Sequence, residues 1–215
     1  MFTALRRTLF ATAALSLSAL FSPCQASVVY DEAINGDLST TFSSPTSVFI
    51  QEGSNQILGT TGRVAGVVDR DYFTITIPYG LHLVSIKVLP NTTGDNSGPL
   101  QSFIGVKAGS TGTDPATAQI PLAASLLGYH LFGPADIGQD ILDNLGQSNL
   151  LAVAAQGFTP PLNAGTYTFW VQETVSTINY GFDLKVAPEP ESLMLLIVGL
   201  TAMLVGKPMR RRFVG

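Results

Sequence analysis

Alternation of apolar and polar side chains is the main structural pattern in the middle of the chain. Tyr72–Ile77 alternates apolar residues with threonines, and Tyr180–Val186 has an apolar residue at every second position. Successive side chains of a strand point to opposite faces, so this period of two predicts strands with one buried face. Similar short patterns, separated by Gly, Pro and Asn, occupy Leu83–Val88, Ser102–Lys107 and Thr166–Gln172. The chain is therefore predicted to be mainly β, as a single β-sandwich or jelly-roll-like domain.

Upstream of these strands the pattern is weaker. It predicts further short strands over Thr46–Gln51, Asn55–Leu58 and Arg63–Val68. In Leu83–Val88 the alternation places Val84, Ile86 and Val88 toward the core.

One or two short helices interrupt the strands. Leu122–Leu127 is short and apolar, and Ala135–Leu145 has apolar residues at helical spacing. A helix over 135–145 would begin at Asp136 as N-cap and would be followed by Gly146 as C-terminal glycine.

The N-terminal segment has the three parts of a secretory signal peptide. Arg6 and Arg7 precede a mostly apolar run over residues 9–21, and small residues follow. Residues 1–26 are therefore predicted to be removed, with cleavage between Ala26 and Ser27. This would remove Cys24, the only cysteine of the chain. A lipoprotein signal ending at Cys24 is disfavoured because Pro23 stands where a small residue is required.

A second apolar run, Leu193–Val205, follows the domain and precedes a basic cluster. With Ser192 and Gly206 it is 15 residues long, which is shorter than the ~20 that span a bilayer comfortably. It can cross a thinned bilayer if the basic side chains reach the headgroups. Positive charge beyond both apolar runs favours a topology with both ends inside and the middle of the chain outside. The basic residues that set this topology are Lys207, Arg210, Arg211 and Arg212.

Three features in this order, Pro188-Glu189-Pro190, the apolar helix and the arginine cluster, resemble the PEP-CTERM sorting signal of Gram-negative bacteria. The resemblance covers residues 187–215, with the motif at 188–190, the apolar helix at 192–206 and the basic tail at 207–212. It implies a membrane protease, exosortase, as a partner that removes the tail, and a single transmembrane sorting helix. It also implies transient residence in the inner membrane, followed by delivery to the cell surface, outer envelope or extracellular matrix, where exopolysaccharide is a candidate partner. An ordinary tail anchor is the alternative.

Removal of both ends leaves a domain over residues 27–186. Asp69-Arg70-Asp71-Tyr72-Phe73 and the strand Gly165–Thr174 resemble segments of bacterial pre-peptidase C-terminal domains, which are secreted jelly-roll-like modules. This resemblance adds to the fold prediction and implies no activity.

Charge changes the picture once the ends are removed. The chain has 11 Lys+Arg and 15 Asp+Glu, but from Ser27 to Ala187 there are 5 basic and 13 acidic residues, a net charge of −8. An acidic surface repels phosphate backbones, so nucleic acid is not an expected partner, and it attracts divalent cations.

Calcium is the candidate ligand because its protein ligands are oxygens. Three regions qualify: the pair before the Tyr72 strand, an Asn- and Gly-rich loop, and one face of the predicted 135–145 helix. Their acidic residues are Asp69, Asp71, Asp95, Asp136, Asp140 and Asp143. Each region also has a structural interpretation, as turn hydrogen bonds, a hairpin loop or a solvated helix face. A cofactor is therefore not required by the sequence.

Enzymatic chemistry has little support. Neither His82 nor His130 lies in a recognisable catalytic motif, and two histidines without a mature cysteine do not form a zinc site. The sequence thus predicts a non-enzymatic surface or matrix protein with a structural or binding role in a biofilm. A secreted carbohydrate-active hydrolase and a calcium-dependent sugar-binding or adhesion module are the alternatives. Trp170, which faces opposite Phe169, either stacks on sugar or covers the second face of the sheet.

Overall fold

The computed structural model describes residues 26–94, 102–114, 125–147, 155–188 and 197–201. The described part is mainly β and has nine strands. They are β1 (Ser27–Asp31), β2 (Thr46–Ser47), β3 (Gly53–Val64), β4 (Val67–Ile77), β5 (Leu81–Val88), β6 (Ser102–Ala108), β7 (Gly128–Phe132), β8 (Gly165–Gln172) and β9 (Ile178–Pro188). Short helices are α1 (Glu32–Asn35), α2 (Leu142–Gln147) and a 3-10 turn (Pro134–Asp136).

The sheet is curled and mostly antiparallel. Its strand order is β5-β9-β3-β4-β8-β6-β7, with β1 added parallel to β3 and β2 added parallel to β4. The hairpin of β3 and β4 joins the two halves, because these strands pair only over Gly62–Val64 and Val67–Asp69. Beyond that hairpin each strand continues into its own half. Ala65 and Gly66, the two residues of the turn, both have positive φ, which suits a tight hairpin.

Both halves of the sheet face one hydrophobic core. Phe73 and Phe169 stack across β4 and β8, with ring centroids 5.2 Å apart. Phe132 of β7 and Phe182 of β9 make an edge contact at 5.1 Å, which connects the two halves. The predicted fold class is confirmed at this level, a mainly β chain with a sandwich-like curled sheet.

The strand predictions hold for the strongly alternating segments and for Asn55–Leu58, which lies within β3, and they fail at three places. Of the predicted strand Thr46–Gln51, only Thr46–Ser47 is a strand. Arg63–Val68 is not a strand of its own but the tip of the β3–β4 hairpin. In β5 a register shift between Leu83 and Ser85 moves the core positions, so that Leu83, Ile86 and Val88 are buried and Val84 is only half-buried. The extra residue of such a bulge reverses the alternation locally.

The predicted helix over 135–145 is wrong. Gly138 has φ +82°, and the chain around it runs along β5 instead of coiling. Gly138 N donates to Val88 O and Ile141 N donates to Ile86 O. The apolar stripe is buried by this pairing, and α2 begins only at Leu142, with Gly146 inside it.

Of the two interpretations of Trp170, stacking on sugar or covering the second face of the sheet, the structure supports the second. Trp170 is 4% exposed, stacks on Tyr72 at 5.7 Å and meets the edge of Phe103 at 4.8 Å. Its indole is therefore packed away from any sugar in solution.

The predicted terminal segments lie largely outside the described residues. This applies to residues 1–25 and to most of the tail, including Glu189, Pro190 and the basic cluster. Ser27 begins β1, and residues 197–201 are helical. Within the described residues, no helix has both the length and the apolar character that crossing a bilayer requires.

Candidate metal centre

An acidic pocket of about 410 Å³ opens where the chain leaves β1 beside β3. Its lining includes Asp31, Glu32 and Asp37 together with Asn91 and Asn179. These are oxygen-bearing side chains, which are the ligands that hard divalent cations prefer.

The cap of α1 and the turn after it bring Glu32 and Asp37 close together. Asp31 caps α1 by accepting a hydrogen bond from Ala33 N at 3.0 Å. After α1, Gly36 adopts φ +90°, which a glycine reaches without steric cost, and the chain turns back so that Asp37 approaches Glu32. Tyr30 reinforces this turn because its hydroxyl donates to Gly36 O at 2.9 Å.

Glu32 connects the N-terminal segment to the sheet. Its Oε2 accepts hydrogen bonds from Thr60 N at 2.6 Å and Thr60 Oγ1 at 3.2 Å, and its Oε1 accepts from Leu38 N at 3.1 Å. Burial and the neighbouring Asp37 charge raise the pKa of Glu32, while these hydrogen bonds oppose the rise.

Asp71, on the inward face of β4, lies close to Glu32 and Asp37. It shares the inward face of β4 with Phe73, Ile75 and Ile77, and it is 0% exposed. Carboxylate oxygens of Glu32, Asp37 and Asp71 lie within 4.8 Å of one another. This is the spacing of ligands that share one metal ion.

The Asp71 carboxylate is buried with little compensation. Neither of its oxygens accepts a hydrogen bond of normal geometry, and in the described part of the chain no Lys or Arg forms an ion pair with Glu32, Asp37 or Asp71. Burial first, and the Glu32 charge second, raise the pKa of Asp71 to about 9. An isolated buried carboxylate is costly unless a proton or a cation neutralises it.

Tyr180 forms the inner wall beside Asp71. Its side chain is fully buried, and hydrogen bonding of its hydroxyl toward Asp71 lowers the pKa of Asp71, against the larger effect of burial. Burial and the Asp71 charge raise the pKa of Tyr180 well above its usual range. The ring fits because its strand partner is Gly59, where a Cβ would overlap the Tyr180 hydroxyl.

Glu32 and Asp37 line the pocket, and the buried Asp71 carboxylate lies behind them with Tyr180 beside it. Calcium in proteins takes about 6–8 oxygen ligands and accepts water among them, so these groups with solvent suit it. A cation there would join the N-terminal segment, through Glu32 and Asp37, to β4, through Asp71.

Of the acids singled out from the sequence, only Asp71 belongs to this cluster. Asp69 is half-buried nearby, and its pKa is raised by burial and by the Asp37 charge. Asp95 lies outside the described residues. Glu32 and Asp37 carry no motif, and strand parity was the one available indication that Asp71 points inward.

The three acids of the predicted helix face do not share a face. Asp136 Oδ2 accepts from Gly133 N at 2.9 Å, and its Oδ1 lies 3.7 Å from His130 Nε2. Asp140 Oδ1 accepts from both Ile86 N and Leu142 N at 3.0 Å. Asp143 is exposed on α2. Asp136 and Asp140 therefore stabilise local backbone, and the three acids do not form a carboxylate stripe on one helix, which corrects that expectation.

We expect Asp140→Ala to destabilise the domain by about 1–2 kcal/mol, because two backbone donors lose their acceptor. Asp143→Ala, an exposed change on the same segment, should change the free energy of unfolding by less than about 0.5 kcal/mol. Urea unfolding of both variants checks this. Equal stabilities would contradict the structural role given to Asp140.

Comparison with known proteins adds no family assignment. No family model matches the chain, and the curated proteins contain no significant match to it. The chemistry of the site therefore has to be argued from its own residues.

Proposed function

We propose that the chain is an exported, exosortase-processed, non-enzymatic protein of the cell surface or extracellular matrix, with a structural or binding role among exopolysaccharides. The observation that supports this is the end of the domain. Strand β9 runs to Pro188, which pairs with Leu81 and is also the first residue of Pro188-Glu189-Pro190. The last strand of the described residues thus ends at the first residue of the motif.

Delivery follows from the order of the segments. The signal peptide exports the chain, and the apolar tail holds it in the inner membrane while Lys207 and the arginines remain inside. Exosortase then cuts near Pro188-Glu189-Pro190. The curled antiparallel sheet is compatible with a jelly-roll scaffold of the kind found in secreted pre-peptidase C-terminal modules.

The masses of both termini of the protein recovered from its host test this proposal. We expect a chain that begins at Ser27 and ends between Pro188 and Glu191. A double variant, Glu189→Ala with Pro190→Ala, should retain the tail to Arg212, whereas Glu191→Ala should be processed normally. A wild-type protein that still carries Leu193–Arg212 would make the tail a permanent anchor and refute processing.

The acidic pocket supports a second function, divalent-cation binding. The observation that favours it is the buried Asp71 carboxylate, which lies beside Glu32 and Asp37 and has no cationic partner among the described residues. A bound calcium ion would fix the N-terminal segment against the sheet and make the domain a calcium-dependent binding or adhesion module. Calcium is abundant outside cells, so the proposed location and this function agree.

The lining of the pocket favours cation binding over glycoside hydrolysis. The lining consists of acidic, amide, small and aliphatic residues, whereas sugar sites usually present an aromatic face.

A further inference from the structure

One end of the domain carries the connection to the predicted membrane tail. Strand β4 ends there at Ile77, which pairs with Gly165 at the start of β8. Strand β5 begins there at Leu81, which pairs with Pro188 at the end of β9. We call this the tail end of the domain, and the β3–β4 hairpin marks the opposite end.

The tail end exposes two aromatic side chains. Tyr79, in the turn between β4 and β5, is 100% exposed, and Phe49 is 80% exposed. Phe49 belongs to this end because Ser47 pairs in parallel with Thr74, so the chain two residues later is level with Thr76. These two are the only aromatic residues among the large, strongly exposed hydrophobic side chains of the described residues.

Charge is scarce at the tail end. Among the described residues, the loops over 48–52, 78–80 and 161–164 at this end contain one charged residue, Glu52. The connecting segment after Pro188 adds Glu189 and Glu191, and most of the remaining negative charge lies elsewhere in the domain, including the acidic pocket. Exposed aromatic rings on loops with little charge suit the boundary between lipid headgroups and acyl chains.

The length of the connecting chain limits how far this end can be from the bilayer. Four residues, 189–192, separate Pro188 from Leu193, where the apolar run begins. A fully extended residue spans about 3.3–3.6 Å, so the connection reaches at most about 14 Å. That distance is of the order of the headgroup layer on one side of a bilayer.

We propose that the tail end rests on the interface of a phospholipid bilayer, with Phe49 and Tyr79 inserted among the headgroups, while the tail remains attached. This inference rests on the proposed anchoring of the tail and adds the surface that meets the membrane. The short tether supplies a high effective concentration, so two aromatic side chains are enough to orient the domain. The acidic pocket near the β1–α1 segment then remains open to solvent.

Removal of the tail would end the contact between the tail end of the domain and the bilayer. Even a single myristoyl chain gives only marginal, reversible membrane binding, so two aromatic side chains without the tail do not anchor the domain. The net charge of −8 further opposes binding to anionic lipid. Cleavage at Pro188-Glu189-Pro190 therefore releases the domain from the surface as well as from the anchor.

Tryptophan scanning of the chain with its tail, reconstituted in phosphatidylcholine vesicles, tests the inference. Tyr79→Trp and Phe49→Trp each place a fluorophore at the tail end, and Val67→Trp places one at the opposite end, where Val67 is 71% exposed. The emission of the buried Trp170 in the parent chain is subtracted. Brominated phosphatidylcholine quenches tryptophan by contact at a known depth.

We expect the added emission of Tyr79→Trp and Phe49→Trp to shift to the blue and to lose most of its intensity with brominated lipid. Val67→Trp should emit as it does in water and remain unquenched. Co-flotation with the vesicles reports tail insertion separately. Protein that floats without quenching at positions 49 and 79, or with equal quenching at position 67, overturns the membrane-facing surface alone. Protein that fails to float refutes the anchored tail, and with it the basis of this inference.

Discussion

Replacement of Asp71 by Asn should remove most of the pH dependence of stability in calcium-free buffer. In the folded protein the pKa of Asp71 is raised to about 9, because the carboxyl group is buried beside Glu32, against 3.8 for the unperturbed group. The folded state therefore keeps a proton that the unfolded chain releases. The contribution of the protonated Asp71 to the free energy of unfolding is fully present below pH ~4. It falls by up to about 1.4 kcal/mol per pH unit as the pH rises toward 9.

The measurement is urea unfolding in EDTA at pH 5 and pH 8. The parent protein should be clearly less stable at pH 8, and Asp71→Asn should lose little between the two values. Asn is nearly isosteric and cannot ionise, so the variant should exceed the parent at pH 8 by about 2 kcal/mol or more. Identical pH profiles for the two proteins would contradict a buried carboxyl group with a raised pKa.

The same variant should lose the response to calcium. A ligand that binds only the folded state stabilises it by about 2.7 kcal/mol at a concentration 100 times its Kd. At pH 8 we expect calcium to raise the Tm of the parent protein, and Asp71→Asn to show little of this shift. Asp143→Asn, an exposed acid elsewhere, is the matched control and should respond as the parent does. A parent protein with the same Tm in calcium and in EDTA would refute the cation site.

Phe182→Ala should be the most damaging single truncation of the core, with a loss of about 3–5 kcal/mol. Phe182 is fully buried in β9 and contacts Phe132 of the other half and Tyr180 of its own strand, at centroid distances of 5.1 and 5.4 Å. Its removal opens a cavity where the two halves of the sheet meet.

Phe49→Ala is the control for Phe182→Ala, because it removes the same side chain from a position that is 80% exposed. It should change the free energy of unfolding by less than about 0.5 kcal/mol. Chemical denaturation of both variants gives the comparison. Similar losses for the two would contradict a shared core between the halves.

Much of the fold could be predicted because strand alternation is local. In β4, β8 and β9 the residues that face the core recur at every second position, so their identity follows from the sequence, although Tyr72 and Trp170 are also buried on the opposite face. The helix over 135–145 could not be excluded in that way. Its apolar stripe satisfies a helix equally well as an extended segment, and only the available backbone groups of β5 decide between them.

The candidate site was less accessible to sequence reasoning. Glu32 and Asp37 are ordinary acids near a turn, and the sequence pattern places Asp71 just before the predicted Tyr72 strand. Their proximity depends on two features of the sheet. Strand β1 pairs with β3, and β4 begins at Val67, so that Asp71 lies inside the strand. Such pairings join residues far apart in the chain, and no local pattern encodes them.

The sequence by itself determined which segments are strands with a core-facing side. It also determined that Trp170 faces opposite Phe169 and that the domain has a net negative charge. These properties depend on side-chain chemistry and on the period of two. Only the tertiary structure decided that Asp71 would be buried beside Glu32 and Asp37, and that Phe49 and Tyr79 would share one end with Pro188. Burial and proximity are properties of the folded chain, because they arise when distant strands close around a common core.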